Sequence, residues 1–174
     1  GAAGGKGELA AEAAHWLARC LLKQEKPEEA LWVVERAVGA SASGTPATDL
    51  LMDRADATRA IPRRRGEAIG LYAAIARERP DDPLAESALY MAAFSALEES
   101  DYGAARDYAN ALLKRYDRSD LGPDAAAVLA EADLRSGKLA EAEQRYDELI
   151  GRRSDRPELD TWRLRRALAL FMQR

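Results

Sequence analysis

A small residue returns on a fixed beat along this chain. Ala30, Ala68, Ala105 and Ala142 lie 38, 37 and 37 residues apart. Each follows a turn-like phrase: Lys26-Pro27-Glu28-Glu29, Arg65-Gly66-Glu67, Ser100-Asp101-Tyr102-Gly103 and Ser136-Gly137-Lys138. A second row keeps the same register. Ala18, Ala93 and Ala130 stand twelve residues before their partners and Ala55 thirteen, and carrying the period forward from Ala130 lands on Ala167. Two rows in step describe one structural unit copied along the chain.

Each unit reads as two helices. The stretch from Glu8 to Gln24 spaces Leu9, Ala13, Trp16, Leu17, Cys20 and Leu21 at helical intervals. Pro27 opens a second helix that turns Ala30, Leu31, Val34, Ala37 and Val38 to one side. Further helices are expected near 46–60, 63–79, 83–98, 102–116, 123–135, 138–151 and 157–174. The one over 46–60 has the weakest stripe, because Asp49, Asp53, Arg54, Asp56 and Arg59 leave only Leu50, Leu51, Met52 and Ala55. Thr45-Pro46, Asp82-Pro83, Gly122-Pro123 and Arg156-Pro157 mark helix starts, where proline's missing N–H costs nothing. Residues 39–44, rich in Gly, Ala and Ser, read as the loosest joint. The units run over 8–40, 46–80, 83–119 and 123–154, with a half unit at 157–174. Residues 1–7 read as a tag or linker remnant, and the chain as a segment of a longer protein.

Alanine dominates the apolar residues, which suits helices in close contact. The expected class is all-α, an α-solenoid of about nine antiparallel helices: four pairs and a C-terminal helix. A net charge of −4 is no footprint for nucleic acid, which needs a basic surplus. No apolar run is long enough for membrane insertion. His15 and Cys20 are single and off each other's face, so neither a metal nor a cofactor is expected. No catalytic constellation stands out. The basic run Arg63-Arg64-Arg65 reads as a solvated turn beside Glu67 and Glu78.

The pattern resembles tetratricopeptide repeats (TPR). The small residue of the first helix, the turn, the alanine of the second and an aromatic one turn later carry the likeness, with Tyr72 and Tyr146 as the aromatics and Val34 and Ala109 as substitutes. The period exceeds the family's usual length of about 34. That lengthening, with Leu113-Lys114-Arg115-Tyr116-Asp117-Arg118-Ser119 before a capped helix, resembles a bacterial branch of cell-envelope proteins, which leans the location toward the periplasm or envelope and leaves the cytoplasm open. HEAT-type repeats share the helix pair; Sel1-like repeats would want a Gly-rich turn with a fixed Asp, absent here. The resemblance implies a right-handed superhelix whose first helices line a concave groove for a peptide or partner helix.

Candidate partner-binding residues on that wall are Met52, Arg59, Tyr90, Phe94, Leu97 and Glu131. Tyr90 and Phe94 are four apart and so share a helix face. Packing between neighbouring first helices is the competing explanation for both rings, and exposure decides between them. A clamp for a carboxylate tail is not expected, since Asp56 would repel it. The C-terminal helix sets Leu164, Leu168, Phe171 and Met172 in a stripe, with Trp162 and Leu170 beside it. It reads first as a cap folded on the preceding helix, then as a homodimer interface, then as the mark of a removed covering helix. The functional expectation is a non-catalytic protein-binding scaffold. The alternatives are a self-association module using Trp162, Leu164, Leu168, Phe171 and Met172, or a regulatory segment of a larger enzyme or sensor.

Overall fold

The computed structural model describes residues 2–40, 47–152 and 156–174, with side chains from residue 7 onward. The Thr45-Pro46 mark and most of the 39–44 joint lie outside them. All the regular structure among the described residues is helical. The helices are α1 (Ala2–Lys23), α2 (Pro27–Gly39), α3 (Thr48–Ala60), α4 (Arg65–Glu78), α5 (Ala85–Glu98), α6 (Tyr102–Arg115), α7 (Gly122–Arg135), α8 (Leu139–Arg152) and α9 (Leu159–Met172), with a 3-10 turn at Pro62–Arg64. Their bounds fall within about two residues of the spacing-based expectation at most ends. At the N-terminus α1 reaches back through 2–7, the stretch read as linker.

The chain forms two compact units, Gly1–Ala88 and Leu89–Arg174, and the division falls inside α5. In the first unit α1, α2, α3 and α4 each pack on the next, and α1 also touches α3. Ala18, Ala30, Val34, Leu50, Ala57 and Ile61 share its core. In the second, α6, α7, α8 and α9 pack in order. Ala130, Leu134, Ala142, Tyr146, Leu149 and Trp162 form a core there. Ala18, Ala30, Ala55, Ala68, Ala93, Ala105, Ala130 and Ala142 all have no exposed surface. A larger side chain in either row would push two helices apart.

The register fails at one place. Ala167, expected in the buried row, is exposed, and Ala169 is buried instead. Ala130 faces the second helix of its own pair, with Ala142 and Tyr146 in the same cluster. Among the described residues no second helix lies across from the equivalent alanine of α9, so it meets solvent. Ala169 belongs to a third row, with Ala57 and Ala132, by which a helix pair meets the one before it inside each unit. The first member of that row, Cys20, is exposed.

The turns inside three pairs are copies as well. Glu25, Ser100 and Gly137 each sit five residues before the buried alanine, and all have positive φ, at 59°, 63° and 79°. The backbone bonds Lys26 N–H to Leu21 O, Asp101 N–H to Ala96 O and Lys138 N–H to Asp133 O close the same motif each time. This is the left-handed helix stop that glycine favours because it lacks a Cβ. Only one of the three uses glycine. Between α3 and α4 the chain takes another route, with Ile61 extended and Pro62 opening the 3-10 turn.

Candidate functional site

Tyr90 and Phe94 stand on one face of α5 because they are one turn apart. Their rings stack with centroids 6.1 Å apart and an interplanar angle of 23°. Both are half-buried rather than enclosed. They line a groove of about 290 Å³ in the second unit, whose other walls come from α7 and α9. Ala127, Glu131 and Arg135 project from α7, and Trp162 and Arg165 from α9. Leu97, expected as a contact residue, is only 6 % exposed and lines the groove from within the core.

A carboxylate organises the charge in this groove. Glu131 accepts a hydrogen bond from the Tyr146 hydroxyl at 2.8 Å. Arg135, one turn on, donates to its other oxygen at 2.7 Å, and Arg165 approaches within 3.3 Å. Burial, reinforced by the neighbouring Glu131 carboxylate, pushes the Tyr146 phenol far above its ordinary range, so it serves as a neutral donor. At the groove's edge Arg156 ties Asp124 at 2.6 Å and Glu158 at 3.4 Å. The groove thus offers paired charges and two aromatic faces. That arrangement suits an apolar side chain better than an ion.

Met52 and Arg59 stand on α3 in the first unit, both half-buried. Near them a second polar network replaces the apolar stripe that α3 lacks. Asp53, 1 % exposed, takes a 2.6 Å hydrogen bond with His15. Asp56 accepts from Arg19 at 3.0 Å and from the buried Tyr72 hydroxyl at 2.5 Å. Burial holds the Asp53 carboxyl above its usual range against the opposing pull of His15 and Arg19. His15 is therefore a packing partner for a buried acid. Asp56 is already neutralised in part, and its engagement with Tyr72 makes it part of the frame.

Sequence reasoning passes over the buried acids. Asp53 and Asp133 occupy apolar surroundings, which a carboxylate tolerates only when paired. Asp133, 2 % exposed, is held by Arg145 of α8 at 2.8 Å and by Arg106 of α6 at 3.7 Å. The signal is present: an acid on a row otherwise filled by Leu21, Thr58 and Ala96, with arginines on the flanking helices. The basic run behaves as the spacing suggests, Arg64 donating twice to Glu67 at 2.7 and 2.9 Å. In α9, spacing puts Trp162 on an outer surface, yet it is 4 % exposed and packed in the second unit's core. It falls on the face that meets α7 and α8, away from Leu164, Leu168, Phe171 and Met172, which remain exposed.

Within each unit, helices packed in chain order at small residues define a helical repeat protein, and the fold is TPR-like. Two solved structures carry it, both described as nearly identical TPR-like repeats of a putative kinesin light chain from Podosopora anserina. The first matches with a TM-score of 0.72 and 16 % identity, covering 93 % of this chain and 86 % of that one. A variant of that same protein matches with a TM-score of 0.73 and 16 % identity over 93 % and 85 % of the two chains. No family model and no curated protein matches the chain. Among the described residues no helix is long and apolar enough to cross a membrane. No group of three potential metal ligands occurs among them either.

Proposed function

We propose that the chain is a non-catalytic scaffold, residues 8–174 acting as one repeat array, that receives a peptide or partner helix in the groove beside Tyr90 and Phe94. The observation that carries this reading is the stacked, half-exposed ring pair set over a groove whose charges are already paired. Apolar anchors one helical turn apart on the partner would lie against the two rings, as aromatic hot spots favour. Arg165 and Arg135 would select against a basic residue beside the anchors. The test is selection of helical peptides on the immobilised chain, followed by titration against Tyr90→Ala/Phe94→Ala. Affinity should fall tenfold or more while the thermal midpoint moves little. A variant that loses folding as fast as binding would make the rings core residues and end this reading.

A second reading is self-association through α9. It is favoured by the exposed stripe of Leu164, Leu168, Phe171 and Met172, with Phe171 74 % exposed. Large contiguous apolar patches on a folded surface usually mark contacts.

A further inference from the structure

The groove beside Tyr90 and Phe94 has an electrical direction. At one end Asp124 stands in the first turn of α7 and Glu158 just before α9. Their two carboxylates share one guanidinium, that of Arg156, at 2.6 and 3.4 Å. At the other end Arg135 closes α7 and Arg165 projects from α9. Their two guanidiniums share one carboxylate, that of Glu131, at 2.7 and 3.3 Å. Every one of these groups has a contact, yet the charges do not cancel. Two acids on one base leave a negative charge over, and two bases on one acid leave a positive charge over.

The surplus is reachable. Asp124, Glu158, Arg135 and Arg165 keep between 29 % and 46 % of their side-chain surface, whereas Glu131 keeps 13 %. The same pairings show that α7 and α9 run in one direction, acids at their starts and arginines further on. Along α7 the two ends are eleven residues apart, about 16 Å of helix rise. Between them the surface is apolar, with Ala127, Val128 and Trp162 beside the stacked rings of Tyr90 and Phe94. The walls are helices, whose backbone groups are already used within them. Among the described lining residues no Asn or Gln is present to bond a bare main chain. An extended segment would leave its own N–H and C=O groups unmet there, and a helix would not.

We infer that the groove takes an amphipathic helix of a partner protein, running antiparallel to α7 and α9. Acidic residues in its first turn face Arg135 and Arg165, apolar anchors in its middle meet the rings, and basic residues in its last turn face Asp124 and Glu158. The inference rests on the groove reading above and specifies its partner. Acids early and bases late is the order that a helix's own dipole favours, and the antiparallel setting opposes that dipole to those of α7 and α9. The reverse order of charges would turn the partner round and lose both gains.

Titration of labelled, stapled helical peptides by fluorescence anisotropy on the intact chain tests this. The first peptide carries two glutamates in its first turn, leucines one turn apart in its middle and two lysines in its last turn. A second has the glutamates and lysines exchanged, and a third has glutamine at all four places. The first should bind about tenfold more tightly than either of the others and lose that margin in high salt. Arg135→Gln/Arg165→Gln should abolish the contribution of the glutamates and leave that of the lysines. Asp124→Asn/Glu158→Gln should do the converse, and circular dichroism checks that both variants stay helical. Equal binding of the three peptides, or glutamates that couple to Asp124 and Glu158 instead, overturns the inferred polarity. If that binding still depends on Tyr90 and Phe94, the groove reading survives. Binding that ignores Tyr90→Ala/Phe94→Ala, or no binding by any of the peptides, sinks both.

Discussion

The buried hydroxyl of Tyr146 donates to the carboxylate of Glu131, fifteen residues earlier on the preceding helix, at 2.8 Å. Tyr72 makes the corresponding bond to Asp56, sixteen residues before it. Both tyrosines are essentially sealed from solvent. The aromatic position of the second helix is thus both a packing residue and a polar tie to its pair.

This tie has an alkaline signature. Burial first, and the adjacent carboxylate second, hold both phenols protonated far above the ordinary range. The unfolded chain ionises its tyrosines near pH ~10. Above that the folded state binds more protons than the unfolded one, so stability falls as pH rises. Urea midpoints followed from neutral into strongly alkaline buffer should drop more steeply for wild type than for Tyr72→Phe/Tyr146→Phe. At neutral pH the same double variant should be less stable by about 1 kcal/mol per lost bond.

The corrected register separates two alanines. Ala130→Leu should cost roughly 1–3 kcal/mol through overpacking against α8. Ala167→Leu, on the exposed row, should stay within about 0.5 kcal/mol of wild type. Chemical denaturation of the two single variants decides it, and equal effects would put the buried row elsewhere.

The repeated turn predicts gains as well as losses. Glu25 and Ser100 adopt positive φ at the position where the third turn uses Gly137. Glu25→Gly and Ser100→Gly should each stabilise by about 0.5–1 kcal/mol, and Gly137→Ala should cost a similar amount. Thermal midpoints would rise for the first two and fall for the third.

The buried pair in the first unit should respond asymmetrically. His15→Ala strands the Asp53 carboxylate, with Arg19 4.0 Å away as residual support. The cost should lie at the low end of roughly 3–5 kcal/mol. Asp53→Asn keeps an acceptor for the imidazole and sheds the buried charge, so it should cost less. Denaturant titrations of both at neutral pH give the order, and a reversed order would mean that His15 is not what holds Asp53.

Much of this architecture can be read from spacing. Alanines 37 or 38 residues apart mark the helix pairs, their turns and most helix ends. Tyr90 and Phe94 fall on one face by their separation alone, and they share that face. The acids are not legible in this way. Asp53 counts against α3 as a polar interruption, although it is one of the most buried side chains in the molecule. Its compensation comes from His15, 38 residues away on another helix. Trp162 and Leu164 are two residues apart and both apolar, yet one is core and the other surface.

Periodicity is a property of the chain's own geometry. A helix repeats every ~3.6 residues, and a copied pair repeats its contacts, so the order of elements and the rows of small residues follow from the sequence by itself. Whether a given row is covered depends on what lies across from it. That is why tertiary structure alone decided that Asp53 and Asp133 are paired inside, that Ala169 rather than Ala167 is buried, and that α1 and α9 keep bare apolar faces. In each case the energy belongs to a neighbour that spacing along one helix does not name.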